Sequence, residues 1–169
     1  RYIDSCFTKL EDQNSRELVD RKYGGSFREL GNYVMLPVLD LFGSGYTDIR
    51  FSSIRNSLGI DTFTKLDLKY QDRLASMSCG LGVKSEGRLL IGGTKGYILV
   101  TAPWWKMGHF EVHFEDPSKV ISYDEEFAGD GLRYEIEEFA GRIKAGRQTD
   151  RIESGRSVCM ADMMERFLK

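Results

Sequence analysis

The chain predicts an α+β domain, an open, mainly antiparallel β-sheet with helices on one face. Two observations carry that prediction. Through the middle of the chain apolar residues alternate with polar ones, the period of a half-buried strand. Toward both ends they recur at three- and four-residue steps, the period of an amphipathic helix. A length of 169 residues fits one domain, residues 1–169, with a sizeable core.

The opening Tyr2–Leu10 is rich in Ile, Phe and Thr and reads as a strand. Glu11–Lys22 is polar without an apolar face, a loop with a helical turn. Gly24–Gly25 punctuates it, and Ser26 is placed to cap a helix start. Phe27, Leu30, Val34, Val38 and Leu41 then mark an amphipathic helix ending at Gly43, which Pro37 is expected to kink or break.

Six strands or more follow. They are Ile49–Ile54, a run with Leu66, Leu68 and Tyr70 on one face, Ala75–Val83, Arg88–Ile91, Tyr97–Val100 and Phe110–Glu115. Their connections are short, which joins antiparallel neighbours, because parallel ones need a long crossover. The helical period returns at Leu132, Ile136, Phe139 and Ile143, with Gly146 as the stop. Ser154–Lys169 forms a last helix with a Met-rich apolar surface that must pack on something. Such layers leave one sheet face open to a partner subunit.

Several functions are disfavoured. A formal charge of -2 argues against a nucleic-acid binder, which needs a basic field. No apolar run approaches the roughly 20 residues that cross a bilayer, so no membrane partner is expected. Cys6, Cys79 and Cys159 are scattered and odd in number, neither a disulfide framework nor a zinc site. Reduced thiols in a cytoplasmic protein are the expectation. The chain opens on Arg1 and enters a strand at once, so a longer natural chain is expected upstream, with any targeting signal in it.

His109 and His113 are four apart but lie in a period-two run, so both face the polar side of a strand. A solvated sheet surface is the better reading, and no metal is expected. No G-x-G-x-x-G joins a strand to a helix, so no nicotinamide cofactor is expected to bind this chain tightly. Gly43-Ser44-Gly45 follows a helix, Gly80-Leu81-Gly82 lies within the strand expected over Ala75–Val83, and Gly92, Gly93 and Gly96 make a hairpin-like turn.

Three segments share wording with one family. They are Tyr23–Gly43 (YGGSFRELGNYVMLPVLDLFG), Gly92–Lys106 (GGTKGYILVTAPWWK) and Gly131–Phe139 (GLRYEIEEF). The first resembles the G-G-x-x-x-D-x-G-x-[HY] signature of the Gfo/Idh/MocA oxidoreductases, two-domain enzymes that use NAD or NADP, often on sugars. The resemblance implies the C-terminal, substrate-side domain, cut from a Rossmann cofactor domain that this chain lacks. It places Tyr33 where the family carries a His or Tyr that assists proton transfer, a catalytic role. A phenol with an ordinary pKa near 10 needs a neighbouring cation to act as a base at neutral pH. The family takes that lysine from an E-K-P motif of the cofactor domain, which does not occur here. Glu29 stands where Asp is common, one methylene longer.

The resemblance also makes Glu29, Trp104, Trp105, Lys106, Arg133 and Tyr134 candidate substrate-binding residues. Adjacent tryptophans cover core, meet a partner or stack on a sugar ring. In the loop Ala102–Met107 structure or interface is the heavier reading, ligand contact the lighter. The family's last helix packs on the cofactor domain, which would leave the Met-rich face of Cys159–Phe167 without its neighbour here. The implied function is one wall of a cleft in which hydride passes between a nicotinamide and a sugar, polyol or related small molecule. A homodimer through the sheet is implied with it, and the isolated chain is expected to be inactive. The rival is a free-standing, non-catalytic module that binds a ligand or a partner through Trp104–Trp105.

Overall fold

The chain builds one sheet of eight strands, ordered β2-β3-β4-β1-β5-β6-β7-β8. The strands are β1 (Tyr2–Thr8), β2 (Asp48–Arg55), β3 (Asp61–Lys69), β4 (Leu74–Gly80), β5 (Leu89–Gly92), β6 (Gly96–Val100), β7 (His109–Phe114) and β8 (Val120–Asp124). The helices are α1 (Arg16–Val19), α2 (Ser26–Phe42), α3 (Leu132–Ala145) and α4 (Ser154–Leu168). This computed structural model describes residues 1–106, 108–129, 131–146 and 154–169, so Met107 of the expected loop lies outside the described residues.

All pairings are antiparallel except β1 with β4, which run parallel from Tyr2↔Leu74 to Thr8↔Gly80. The α+β reading holds, with one parallel ladder at the centre of the sheet. The signal for it was the long segment between β1 and β2, since a helix-bearing crossover is what parallel neighbours require. The strand expected over Ala75–Val83 stops at Gly80, and β8 joins as an edge strand that period-two reading passed over.

α2 lies across β1, β3 and β4, and α4 packs on α2. Phe27, Val34, Met35, Val38 and Leu39 of α2 are sealed against Ile3, Leu66, Leu68, Ala75 and Met77 of the sheet. Burying each such side chain is worth about 1.5–3 kcal/mol. α4 adds Met163, fully buried, and Phe167, whose ring meets Phe27 at 4.7 Å and Phe51 at 5.4 Å. The Met-rich face of α4 is therefore not left without a neighbour within the chain: Met160, Met164 and Phe167 cover the core beneath α2 and β2. Gly31 makes the approach possible, because a methyl group there would sit 2.9 Å from Met164 Cε and 3.0 Å from the Phe27 ring.

Two expectations for α2 are corrected. Pro37 does not break the helix, which runs continuously from Ser26 to Phe42. Pro37 removes the amide that would bond the Tyr33 carbonyl. One residue on, the buried Ser5 hydroxyl donates to the Val34 carbonyl at 2.8 Å, tying this turn to β1 while packing holds the rest. Ser26 is not the cap. Gly25 holds that place with φ 120°, and Ser26 is the first helical residue.

The amide at the helix start is instead satisfied from β3. Asp61, 3% exposed, accepts from the Phe27 N–H and from the Thr64 hydroxyl, both at 2.8 Å. The Ser26 hydroxyl donates to the Asp61 carbonyl at 3.1 Å and accepts from the Leu81 N–H at 3.0 Å. A methyl group at position 25 would overlap Asp61 Oδ1, and the φ of Gly25 is one that L side chains rarely adopt.

α3 is different. Leu132, Ile136, Phe139 and Ile143 do share one face, and Gly146 ends the helix with φ 58°, but no residue of α3 is buried. Cys6 and Cys79 are buried and Cys159 is half-buried, all three as free thiols. Among the described residues no helix is long and apolar enough to cross a membrane.

The sheet face turned away from α2 is polar along β7 and β8. His109 pairs with Asp124 at 2.7 Å, and His113 pairs with Glu111 at 2.8 Å while stacking on Tyr97 at 4.6 Å. The Asp124 carboxylate, through its hydrogen bond and then its charge, holds the His109 pKa above the ordinary 6.5. A raised pKa means that the pairing favours the protonated fold: its contribution is whole below pH 6.5 and is lost as pH rises through the folded value. In an NMR titration His109 is expected to titrate above 6.5 and to fall back toward it in Asp124→Asn; an unmoved midpoint would exclude the pairing.

The helix-start contacts give a stability test. Asp61→Ala and Gly25→Ala are each expected to lower the unfolding free energy by about 2–4 kcal/mol. Urea unfolding of either variant within about 0.5 kcal/mol of the parent, the range of an ordinary surface change, would remove this junction from the account.

Candidate functional site

The register of α2 fixes what faces outward. Its buried stripe leaves Glu29 and Tyr33 exposed one helical turn apart, on the same side. Tyr33 is 50% exposed, and its ring meets Phe7 of β1 edge to face at 5.2 Å. Phe7 stacks on Trp105 at 3.9 Å and 25°, and Trp105 meets Trp104 edge-on at 5.9 Å. Each such ring pair adds about 0.5–1.5 kcal/mol beyond burial. Four rings thus run from α2 over β1 to the 3₁₀ turn Trp104–Lys106.

The two tryptophans divide their work. Trp104 is buried, and its indole N–H donates to the Cys6 carbonyl at 2.8 Å, so it anchors the turn to β1. Trp105 is 37% exposed and lines a cleft of about 490 Å³ with Phe7, Thr8, Lys9, Leu10 and Lys84. The end of β1 builds this cleft. The Thr8 hydroxyl donates to the Ser85 carbonyl at 2.9 Å and accepts from the Ser85 N–H at 2.8 Å, which fastens the loop after β4. Lys84 follows from that loop and donates to the Thr8 carbonyl at 3.2 Å.

The charges at the cleft are unevenly committed. Lys9 pairs with Glu11, whose hydrogen bond and charge push the Lys9 pKa up, with smaller contributions from Glu17 and Glu29. Lys84 joins no ion pair among the described residues. A surface thus forms that offers aromatic faces beside two ammonium groups, suited to a ring-shaped polar ligand. A second, apolar groove of about 790 Å³ lies between α2 and α4, with Tyr33 on its rim beside Asn32, Met160 and Met164.

Of the other candidate residues, Lys106 shares the turn of Trp104 and Trp105, and Arg133 and Tyr134 lie on α3. Lys106 is exposed at the end of the 3₁₀ turn. Arg133 and Tyr134 are exposed on α3, where the Tyr134 hydroxyl accepts from the Ala128 N–H at 3.0 Å and its ring meets Phe127 at 5.8 Å. Neither touches the Tyr33–Phe7–Trp105 series in a described contact. Among the described residues no hydrogen bond or ion pair reaches the Tyr33 hydroxyl. Sequence reading missed Phe7 and Lys84. Phe7 follows Ile3 and Ser5 at period two in β1, and that alternation marked it as a face residue of the strand without naming its neighbours.

A dinucleotide pyrophosphate sits at a helix N-terminus behind glycines. Gly24-Gly25 before α2 has that outline, but the Asp61 carboxylate already occupies the first free amide. A pyrophosphate would have to displace that carboxylate from the helix-start amide, and the residues present do not fit the dinucleotide.

No family model matches the chain. Its sequence is 29% identical over 152 residues to the trans-1,2-dihydrobenzene-1,2-diol dehydrogenase of Danio rerio, covering 84% of this chain and 45% of that protein. Its fold matches the UDP-N-acetylglucosamine 3-dehydrogenase GnnA of Acidithiobacillus ferrooxidans with a TM-score of 0.74 at 19% identity, over 99% of this chain and 52% of that one. It matches KijD10, a 3-ketoreductase of Actinomadura kijaniata solved with TDP-benzene and NADP, with a TM-score of 0.72 at 16% identity, over 95% and 49%. The chain therefore spans about half the length of each protein it matches. Sheet order and helix placement agree with these likenesses: the chain shares its α+β fold with about half of each of these two solved structures.

Proposed function

We propose that this chain is the substrate wall of an NAD(P)-dependent oxidoreductase that exchanges hydride between a nicotinamide and a hydroxyl-bearing carbon of a sugar, polyol or related small molecule. The observation that carries this reading is the ring series Tyr33–Phe7–Trp105, whose Phe7 and Trp105 line the cleft. It joins the tyrosine of the helix signature to the tryptophan of the PWWK turn, two motifs that lie far apart in the sequence.

The roles follow from chemistry. The Phe7 and Trp105 faces stack the substrate ring, and the Lys84 ammonium orients its oxygens. Tyr33 holds or releases a proton at the reacting oxygen, with its cation supplied by the cofactor-bearing part of a longer chain. Glu29, one turn before it, sets the field at the helix start. The nicotinamide, which supplies the hydride chemistry, is held by that other part, and the isolated chain does not turn over. Self-association through the polar sheet face belongs to the same reading. The matched proteins support it: a diol dehydrogenase, a UDP-N-acetylglucosamine 3-dehydrogenase and a 3-ketoreductase solved with NADP.

A free-standing binding module is the second reading, motivated by the lack of a strand–G-x-G-x-x-G–helix motif in this sequence beside a cleft faced by Phe7 and Trp105. Kinetics of the full-length enzyme separate the two. Tyr33→Phe is expected to lower kcat at least tenfold with KM little changed, and Trp105→Leu to raise KM with the smaller effect on kcat. Turnover near the parent rate in Tyr33→Phe would refute the proton role; an absence of any nicotinamide-linked turnover in the parent would favour the binding module.

A further inference from the structure

Beyond the cleft, three guanidinium groups converge beside the start of α2, and no role assigned above uses them. Arg21, Arg28 and Arg55 line a recess of about 130 Å³, together with Gly59, Asp61 and Phe167 among others. None of the three arginines joins an ion pair among the described residues. Two are held in place by the backbone: Arg28 donates to the Lys22 carbonyl, and Arg55 donates to the Gly59 carbonyl at 2.8 Å. The Arg55 guanidinium also lies over the Phe167 ring, 5.5 Å from its centroid.

Asp61 lines the recess and Asp20 lies beside it, and both are already hydrogen-bonded. Asp61 faces the Phe27 N–H and the Thr64 hydroxyl, and Asp20 accepts from the Lys22 and Tyr23 amides. Each guanidinium carries five donors, so tethering one leaves a fork for a ligand. A recess of 130 Å³ holds about four waters at roughly 30 Å³ each, room for a tetrahedral oxyanion and not for a sugar ring. Planar, permanently charged forks on fixed stems suit phosphate oxygens above all.

We propose that Arg21, Arg28 and Arg55 form a binding site for a phosphate group, either free phosphate or the terminal phosphoryl of a small metabolite. The site is separate from the ring-lined cleft and independent of the reaction proposed there. Seated between the first turn of α2, the β2–β3 turn and the end of α4, a bound phosphate braces the helix that carries Tyr33.

Calorimetric titration with inorganic phosphate, at an ionic strength matched with chloride, tests this directly. A saturable isotherm is expected, together with a raised melting temperature that chloride does not give. Arg55→Gln, an exposed change that spares the core, is expected to weaken phosphate about tenfold or more, as is Arg28→Gln. Glucose 6-phosphate binding as tightly as free phosphate assigns a phosphoryl group on a larger molecule; binding of the free ion alone assigns phosphate itself. Phosphate indistinguishable from chloride, or folded variants that bind it like the parent, would overturn the proposal and leave the cleft reading untouched.

Discussion

The placement of α2 rests on a carboxylate contributed by another element. Asp61 of β3 takes the Phe27 amide that a local cap would ordinarily take, and Gly25 clears the space for it. One buried group therefore joins the first turn of the helix to the sheet, and the Ser26 hydroxyl adds the loop after β4. With that end fixed, the buried stripe from Phe27 to Leu39 settles on β1, β3 and β4. The same register turns Tyr33 outward over β1. Two glycines of the helix motif thus have a physical role: Gly25 admits Asp61, and Gly31 admits α4.

From this junction the candidate site follows by short steps. β1 is central in the sheet, and its last residues face both α2 and the PWWK turn. Trp104 fastens the turn through Cys6, and Thr8 fastens the loop that carries Lys84. The aromatic faces of the cleft are therefore positioned by contacts within the chain. The Tyr33 ring meets Phe7, and among the described residues no hydrogen bond or ion pair reaches its hydroxyl.

Much of the fold was legible because its signals are local. The period-two runs gave most strands, and Gly146 gave the end of α3. The contacts that join distant segments were not legible. Ser26 looked like a cap, since serine before an apolar run is the usual cap, while the acceptor stood thirty-five residues away in Asp61. Pro37 looked like a break because propensity cannot weigh the burial on either side of it. The Met-rich face of α4 looked unpartnered because its partners, Phe27, Gly31 and Phe51, lie on elements far back in the sequence. Of the candidate residues, Tyr33 and Trp105 stand out by motif wording, and the structure shows that Phe7 lies between them.

The central claim is that the ring series on α2, β1 and the PWWK turn faces a nicotinamide held by another part of a longer protein. A crystal structure of that longer protein with NADP bound tests it most directly. The account predicts the nicotinamide ring in contact with the Tyr33 side chain and opening onto the Phe7–Trp105 cleft. A nicotinamide bound against any other surface, with Tyr33 left in solvent, would contradict it.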